Sequence, residues 1–188
     1  MDSLGTLGKK LPRFACHWQL LPVGLSIALL TVSDSRTLAD DRSGDALQQR
    51  LALAGHRLAE RCLVPDNRYL IRAELSRWIV DPQVQVVIST GGTGLTGRDG
   101  TPEAVSPLLD KTIDGFGELF RVLSFETIGT SSLQSRCLAG VANGKVIFVL
   151  PGSVDAVETG WDKLISGQLD ERTSPCNLVQ ILPRLCES

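Results

Sequence analysis

The sequence predicts an α/β protein: a three-layer α/β/α sandwich, Rossmann-like, with a mostly parallel central sheet. Three observations carry this. Short continuous apolar runs rich in Val, Ile and Leu recur along the chain, as expected of strands covered on both faces. Amphipathic segments with helical spacing separate them, and such alternation implies right-handed crossovers. Polar, acidic or glycine-rich residues follow the runs, where sheets of this kind bind ligands.

Taken in order, Leu25 to Val32 reads as the first buried strand. Leu47, Leu51 and Ala54 mark a helix stopped by Gly55, a natural residue just past a helix end. Arg57 to Val64 is a weaker strand, nearer an edge. Ile71, Leu75, Trp78 and Ile79 form an apolar stripe ending before Asp81-Pro82. Val84 to Ser89 is a second strongly buried strand. Thr101-Pro102-Glu103 opens a helix, with Thr as N-cap, Pro in the first position and Glu in the first turn, and the segment through Asp110 and Asp114 looks helical. Lys145 to Leu150 is a third strong strand, followed by a helix carrying Ala156, Val157, Trp161 and Leu164.

Composition narrows the function classes. The 188 residues are 43% hydrophobic, 21% charged and 5% aromatic, enough for one domain with a real core. With 19 basic against 21 acidic groups and no basic stripe, nucleic acid is not the partner. The five cysteines are scattered without a C-x-x-C, which argues against a disulfide scaffold or structural zinc and for a reducing, cytoplasmic setting. With only His17 and His56 available, catalysis would run on carboxylates, hydroxyls and backbone amides. The apolar run from Leu20 to Val32 follows Lys9-Lys10 and imitates a secretory signal. It contains Pro22, Gly24 and Ser26, lacks a small-residue cleavage site and is too short to span a membrane. Residues 1–22 are therefore expected to be an uncleaved, disordered or loosely docked extension, with no membrane partner.

The residues after each strand hold the candidate chemistry. Ser33-Asp34-Ser35 and the stretch from Leu38 to Asp45 read either as a helix-capping region or as a mobile charged lip. Asp66 either caps the helix starting near Asn67 or faces a site. After the strand ending at Ser89, Gly91-Gly92-Thr93-Gly94 exposes backbone N–H groups beside hydroxyls, the means by which a loop cradles phosphate. Five glycines within ten residues, with Arg98 and Asp99 interleaved, exceed the needs of a turn. Arg98 reads as a phosphate fork or a solvated surface charge. Gly92 to Gly97 matches G-x-G-x-x-G, but the helix starts too late for a dinucleotide fingerprint; the P-loop pattern is absent. Pro151-Gly152-Ser153 is a turn and cap, or closes the same pocket.

These motifs resemble the MoaB/MogA family of molybdenum-cofactor biosynthesis proteins, related to the G domain of gephyrin-like proteins. The likeness rests on Ser33-Asp34, Gly91-Gly-Thr-Gly94, Arg98-Asp99-x-Thr101-Pro102-Glu103, Gly115-Phe-Gly-Glu118, Ser135-Arg136 and Leu150-Pro-Gly152. Phe120-Arg-x-Leu-Ser124, Ile128-Gly-Thr-Ser-Ser132 and Arg172-Thr-x-Pro-Cys-Asn177 are closer to the MoaB branch. The resemblance implies that residues 23–188 are a single molybdopterin-binding domain, assembled as a homotrimer or hexamer. It further implies Mg²⁺- and ATP-dependent adenylylation of molybdopterin, or, alternatively, binding of molybdopterin or a precursor without turnover. Asp66 and Asp99 would be the catalytic and metal-holding pair. The ligand would meet Ser33, Asp34, Gly91, Gly92, Thr93, Gly94, Arg98, Thr101, Glu103, Ser135, Pro151, Gly152 and Ser153. Two positions depart from the family pattern: Gly100, where Val is usual, and Val154-Asp155, where a second Pro and no acid is frequent.

Overall fold

A computed structural model describes residues 24–187; the expectations for residues 1–22 lie outside them. The elements run β1 (Ser26–Val32), α1 (Arg42–Leu53), β2 (Arg57–Val64), α2 (Arg68–Val80), β3 (Val86–Thr90), α3 (Thr101–Val105), β4 (Lys111–Thr112), α4 (Asp114–Ile128), β5 (Leu138–Ala142), β6 (Lys145–Leu150), α5 (Val154–Gly160), α6 (Ser166–Gln168) and α7 (Leu178–Ile181). They form one sheet in the order β2-β1-β3-β6-β5-β4. The first four of these strands are parallel, and β5 and β4 are added antiparallel.

The pleat sends alternate residues of each strand into opposite layers. Ile27 and Leu29 of β1 join Ile88, Phe148, and the helices α1, α4 and α5 through Leu47, Phe120 and Val157. Ala28, Leu30 and Val32 join Val87, Ile147, and α2 and α3 through Leu75, Trp78 and Ala104. Both faces of β1, β3 and β6 are buried, whereas β2 is half-exposed at the edge, as its mixed sequence predicts.

The chain moves from β1 outward to β2 and then crosses back to β3 on β1's other side. The carboxyl ends of β1 and β3 thus diverge into loops of opposite direction, the crevice where open α/β sheets place ligands.

The antiparallel edge corrects the sequence reading. The stretch expected to be helical through Asp110 and Asp114 is interrupted before α4 begins at Asp114: Lys111 and Thr112 pair with Val141 and Gly140, and the Asp110 carboxylate accepts from the Asn143 N–H at 2.7 Å. Strand β5 is made of small residues with little strand signal. A Cβ on Gly140 would lie 2.6 Å from the Lys111 carbonyl oxygen, so its composition answers to close strand packing. The helix after β6 also changes pitch, α5 running into a π-turn over Trp161–Ile165. Among the described residues Cys62, Cys137 and Cys176 are free thiols and Cys186 is disulfide-bonded. No described helix is long and apolar enough to cross a membrane.

Candidate functional site

The loop after β3 is shaped by contacts only glycine permits. Gly91 has φ +99°, and a Cβ there would lie 2.2 Å from the Val32 carbonyl oxygen at the end of β1. Gly92 has φ +63°, and its Cβ would lie 2.2 Å from Thr101 Oγ1 and 2.7 Å from Asp66 Oδ2. Left-handed φ is strained for other residues, and here the space is also filled. The loop after β6 packs on this turn: Gly91 N–H donates to Leu150 O at 3.1 Å, and Thr90 Oγ1 donates to Pro151 O at 2.9 Å.

Two expected helix caps belong to neighbouring residues, and this decides what the acids do. Asn67, not Asp66, caps α2, accepting from the N–H groups of Tyr69 and Leu70. Asp66 is thereby left facing the glycine loop, where its Oδ1 accepts from Gly100 N–H at 3.2 Å. Gly100, not Thr101, is the N-cap of α3; Thr101 is fully buried and its hydroxyl has no hydrogen-bond partner among the described residues. Of the two readings of the stretch from Leu38 to Asp45, the cap is what the structure shows at Asp41. Its carboxylate caps α1 and accepts from Thr31 Oγ1 at 2.6 Å and Arg61 Nη2 at 2.9 Å.

Three loops bring acids to one edge. Asp34, after β1, accepts from Asp66 N–H at 2.9 Å. Partial burial pushes the Asp66 carboxyl above the usual range, and the charges of Asp99 and Asp34 push the same way, against the Gly100 hydrogen bond and Arg98. Asp99 is held below that range, chiefly by the Thr96 hydroxyl at 2.5 Å, with the Thr96 N–H at 2.8 Å. One carboxylate therefore prefers a cation or proton beside it while its neighbour is already ionised. Oxygen donors of this kind suit a hard divalent cation. Among the described residues no three His, Cys, Asp or Glu side chains form a metal-holding group, so waters and phosphate oxygens would complete the shell, as Mg²⁺ prefers.

Arg136, quoted with Ser135 as a motif but not expected at the site, is the loop's main tether. Its guanidinium donates to Thr93 O at 3.2 Å and Asp99 O at 3.0 Å, and pairs with Glu103. Glu103 is exposed and engaged in that pair. Arg98 is exposed and acts on Asp66 only through charge. The Ser33 hydroxyl accepts from Ser35 N–H at 3.3 Å and Arg36 N–H at 3.2 Å, and Ser153 caps α5. Both hold their loops locally.

Next to the glycine loop lies a cavity of about 390 Å³ with Thr93, Gly94, Ser135, Pro151 and Ser153 on its wall and Phe120 and Ile128 of α4 in its lining. Among the described residues the buried Ser135 Oγ has no partner of hydrogen-bonding geometry. A larger cavity of about 670 Å³ is lined by Gly24, His56, Gln85 and Asp170. Gly24, His56 and Gln85 precede β1, β2 and β3, so it lies at the amino edge, away from the carboxylates.

Fold and site together define an α/β protein in which a glycine-rich loop and the carboxylates of Asp66 and Asp99 meet at the carboxyl edge of a mostly parallel sheet. The family described as "Probable molybdopterin binding domain" matches residues 28–171, and the chain belongs to this family, the MoaB/MogA family of the sequence motifs. It is 55% identical to molybdenum cofactor biosynthesis protein B of Escherichia coli over 151 residues, 80% of this chain and 89% of that protein. A crystal structure of a molybdenum cofactor biosynthesis protein B matches with TM-score 0.77 and 42% identity, covering 79% of this chain and 93% of that one. The tungsten cofactor synthesizing protein MoaB of Pyrococcus furiosus matches with TM-score 0.70 and 35% identity, covering 78% and 93%.

Proposed function

We propose that this protein acts in molybdenum cofactor biosynthesis by binding molybdopterin at the carboxyl edge and transferring AMP to it from ATP. The observation that supports this most is the meeting of Asp66 and Asp99 with the Gly91 to Gly94 loop, whose Thr93 and Gly94 line the 390 Å³ cavity. An oxygen of the molybdopterin phosphate attacks the α-phosphorus of ATP. The bond from that phosphorus to the bridging oxygen breaks, and pyrophosphate leaves.

Such a transfer needs alignment and charge stabilisation rather than a protein nucleophile, in keeping with a site built without histidine. Asp66 and Asp99 would hold Mg²⁺, which when bound neutralises charge on the transferring phosphates. The amides of Gly91 to Gly94 approach the anion closely because no side chain intervenes. Arg136 keeps the loop fixed, and Arg98 adds positive charge near Asp66. The Ser135 hydroxyl, buried in the cavity lining with no partner of hydrogen-bonding geometry among the described residues, is placed to meet a phosphate or pterin oxygen.

The acting unit is a homotrimer or a dimer of trimers. Leu119, Val122, Phe125 and Ile128 stand more than half exposed along α4, an apolar strip that a subunit contact would cover. Incubation with molybdopterin, ATP and Mg²⁺ tests the reaction: pyrophosphate and an adenylylated pterin are expected. Calorimetric binding of molybdopterin with no ATP consumed would replace the transferase reading by a carrier that holds molybdopterin without turnover.

A further inference from the structure

The cavity beside the glycine loop contains one ionisable side chain in an otherwise neutral lining, Asp155 in the first turn of α5. Asp155 is exposed, and among the described residues it makes no hydrogen bond or ion pair. A carboxylate is favoured at a helix start by the dipole, which accounts for its being tolerated. That preference says nothing about a free acid on the wall of a ligand cavity, where it would repel a phosphorylated ligand bound the wrong way round.

The rest of the cavity fixes what such an acid can meet. Thr93 and Gly94 bring the anion-cradling loop to this space, while Ser135 and Gln134 supply neutral polar groups and Phe120 and Ile128 apolar lining. A ligand that satisfies all of these is anionic where it meets the loop, aromatic in its body, and rich in hydrogen-bond donors where it meets Asp155. A 2-amino-4-oxopyrimidine ring has such an edge: its N3–H and one amino N–H are parallel donors, spaced for the two oxygens of one carboxylate. Charge-assisted bidentate pairs of this type are strong and orientation-specific.

We propose that Asp155 recognises the aminopyrimidinone edge of the pterin, fixing its orientation with the phosphate toward the glycine loop. The inference rests on molybdopterin being the ligand. It makes Asp155 a specificity residue, outside the groups that touch the transferred phosphate. Asparagine at this position would offer one acceptor and one donor, so one pterin N–H would face another donor.

The test compares pterin with lumazine, which carries a carbonyl in place of the 2-amino group, by fluorescence titration of wild-type protein and Asp155→Asn. Wild-type protein should bind pterin at least ~10-fold more tightly than lumazine, as expected where a site pairs a polar edge that the analogue lacks. Asp155→Asn should abolish that preference, and Asp155→Glu, which keeps the charge at the helix start, should restore part of it. Thermal melting checks that the variants fold. If Asp155→Asn binds pterin as tightly as wild type, or more tightly, Asp155 is only a helix-end charge and the inference is overturned. Equal wild-type affinity for pterin and lumazine overturns it without recourse to any variant. Molybdopterin binding by wild-type protein in either of those cases leaves the functional reading standing. Failure of wild-type protein to bind molybdopterin overturns both.

Discussion

Asp66 shows how one residue trades stability for a site. Burial and the nearby charges of Asp99 and Asp34 raise its carboxyl above the usual range, so the folded state binds the proton more tightly than the unfolded state. The stability this gives is fully present below the unfolded value and is lost as pH rises through the folded one. At neutral pH the ionised group is a liability without a cation. Asp66→Asn, whose amide oxygen can still accept from Gly100, should raise the melting temperature of the metal-free protein by ~1–4 °C while lowering AMP transfer by at least ~10²-fold. Calorimetry and pyrophosphate release check the two halves. Wild-type activity should fall on the acid side from a pH above that of an ordinary carboxylate, because protonated Asp66 no longer holds the cation. At Gly100 the opposite substitution is allowed. Its φ is −126°, and a Cβ would meet Arg98 O and Asp66 Oδ1 at 3.6 and 3.7 Å, ordinary contact distances. Gly100→Val should leave activity unchanged or higher and add ~0.4–1 kcal/mol of stability, measured by urea unfolding.

At the scale of elements, the strands buried on both faces were legible because burial writes a continuous apolar run. Strands β4 and β5 were not, since their small or polar residues are selected by pairing and by the close approach at Gly140 rather than by apolar pattern. The glycine loop was legible from composition. Its tether was not: nothing near Arg136 in sequence indicates that it reaches Thr93 and Asp99. Cap positions misled by one residue at both Asn67 and Gly100, because Asp, Asn and Thr are near-equivalent capping signals until backbone geometry chooses among them. Asp41 joins α1, β1 and β2 through one fully buried carboxylate and Arg61, whose side chain is 13% exposed. Burial pushes the Asp41 carboxyl up, but the hydrogen bonds from Thr31, Arg61 and Gly44 outweigh it and hold it below the usual value. Its stabilisation is therefore present above the unfolded value and lost as pH falls through the folded one. Asp41→Ala should cost ~1–3 kcal/mol, since it removes the α1 cap and the partner of the buried Thr31 hydroxyl while Arg61 keeps Asp45 and Gln48; urea unfolding near pH 7 measures this.

Across the whole molecule, the reversal of strand order at β1 and β3 places three acid-bearing loops, the glycine loop among them, on a single edge, which no local sequence feature reports. The apolar strip on α4 extends the argument to assembly. Light scattering should give a trimer or hexamer, and Phe125→Glu should shift it toward monomer without loss of secondary structure; a monomeric wild type at micromolar concentration would remove the oligomer. The central claim is that the carboxylates beside the glycine loop perform AMP transfer, and single-turnover pyrophosphate release by wild type and Asp99→Asn, with molybdopterin binding measured in parallel, tests it most directly. Asp99 lies in the loop, outside the core, and its bond to Thr96 survives in the amide. The account predicts molybdopterin binding within ~3-fold of wild type and release slowed at least ~10²-fold. Release at the wild-type rate by Asp99→Asn, or no release from wild-type protein that binds molybdopterin, would contradict it.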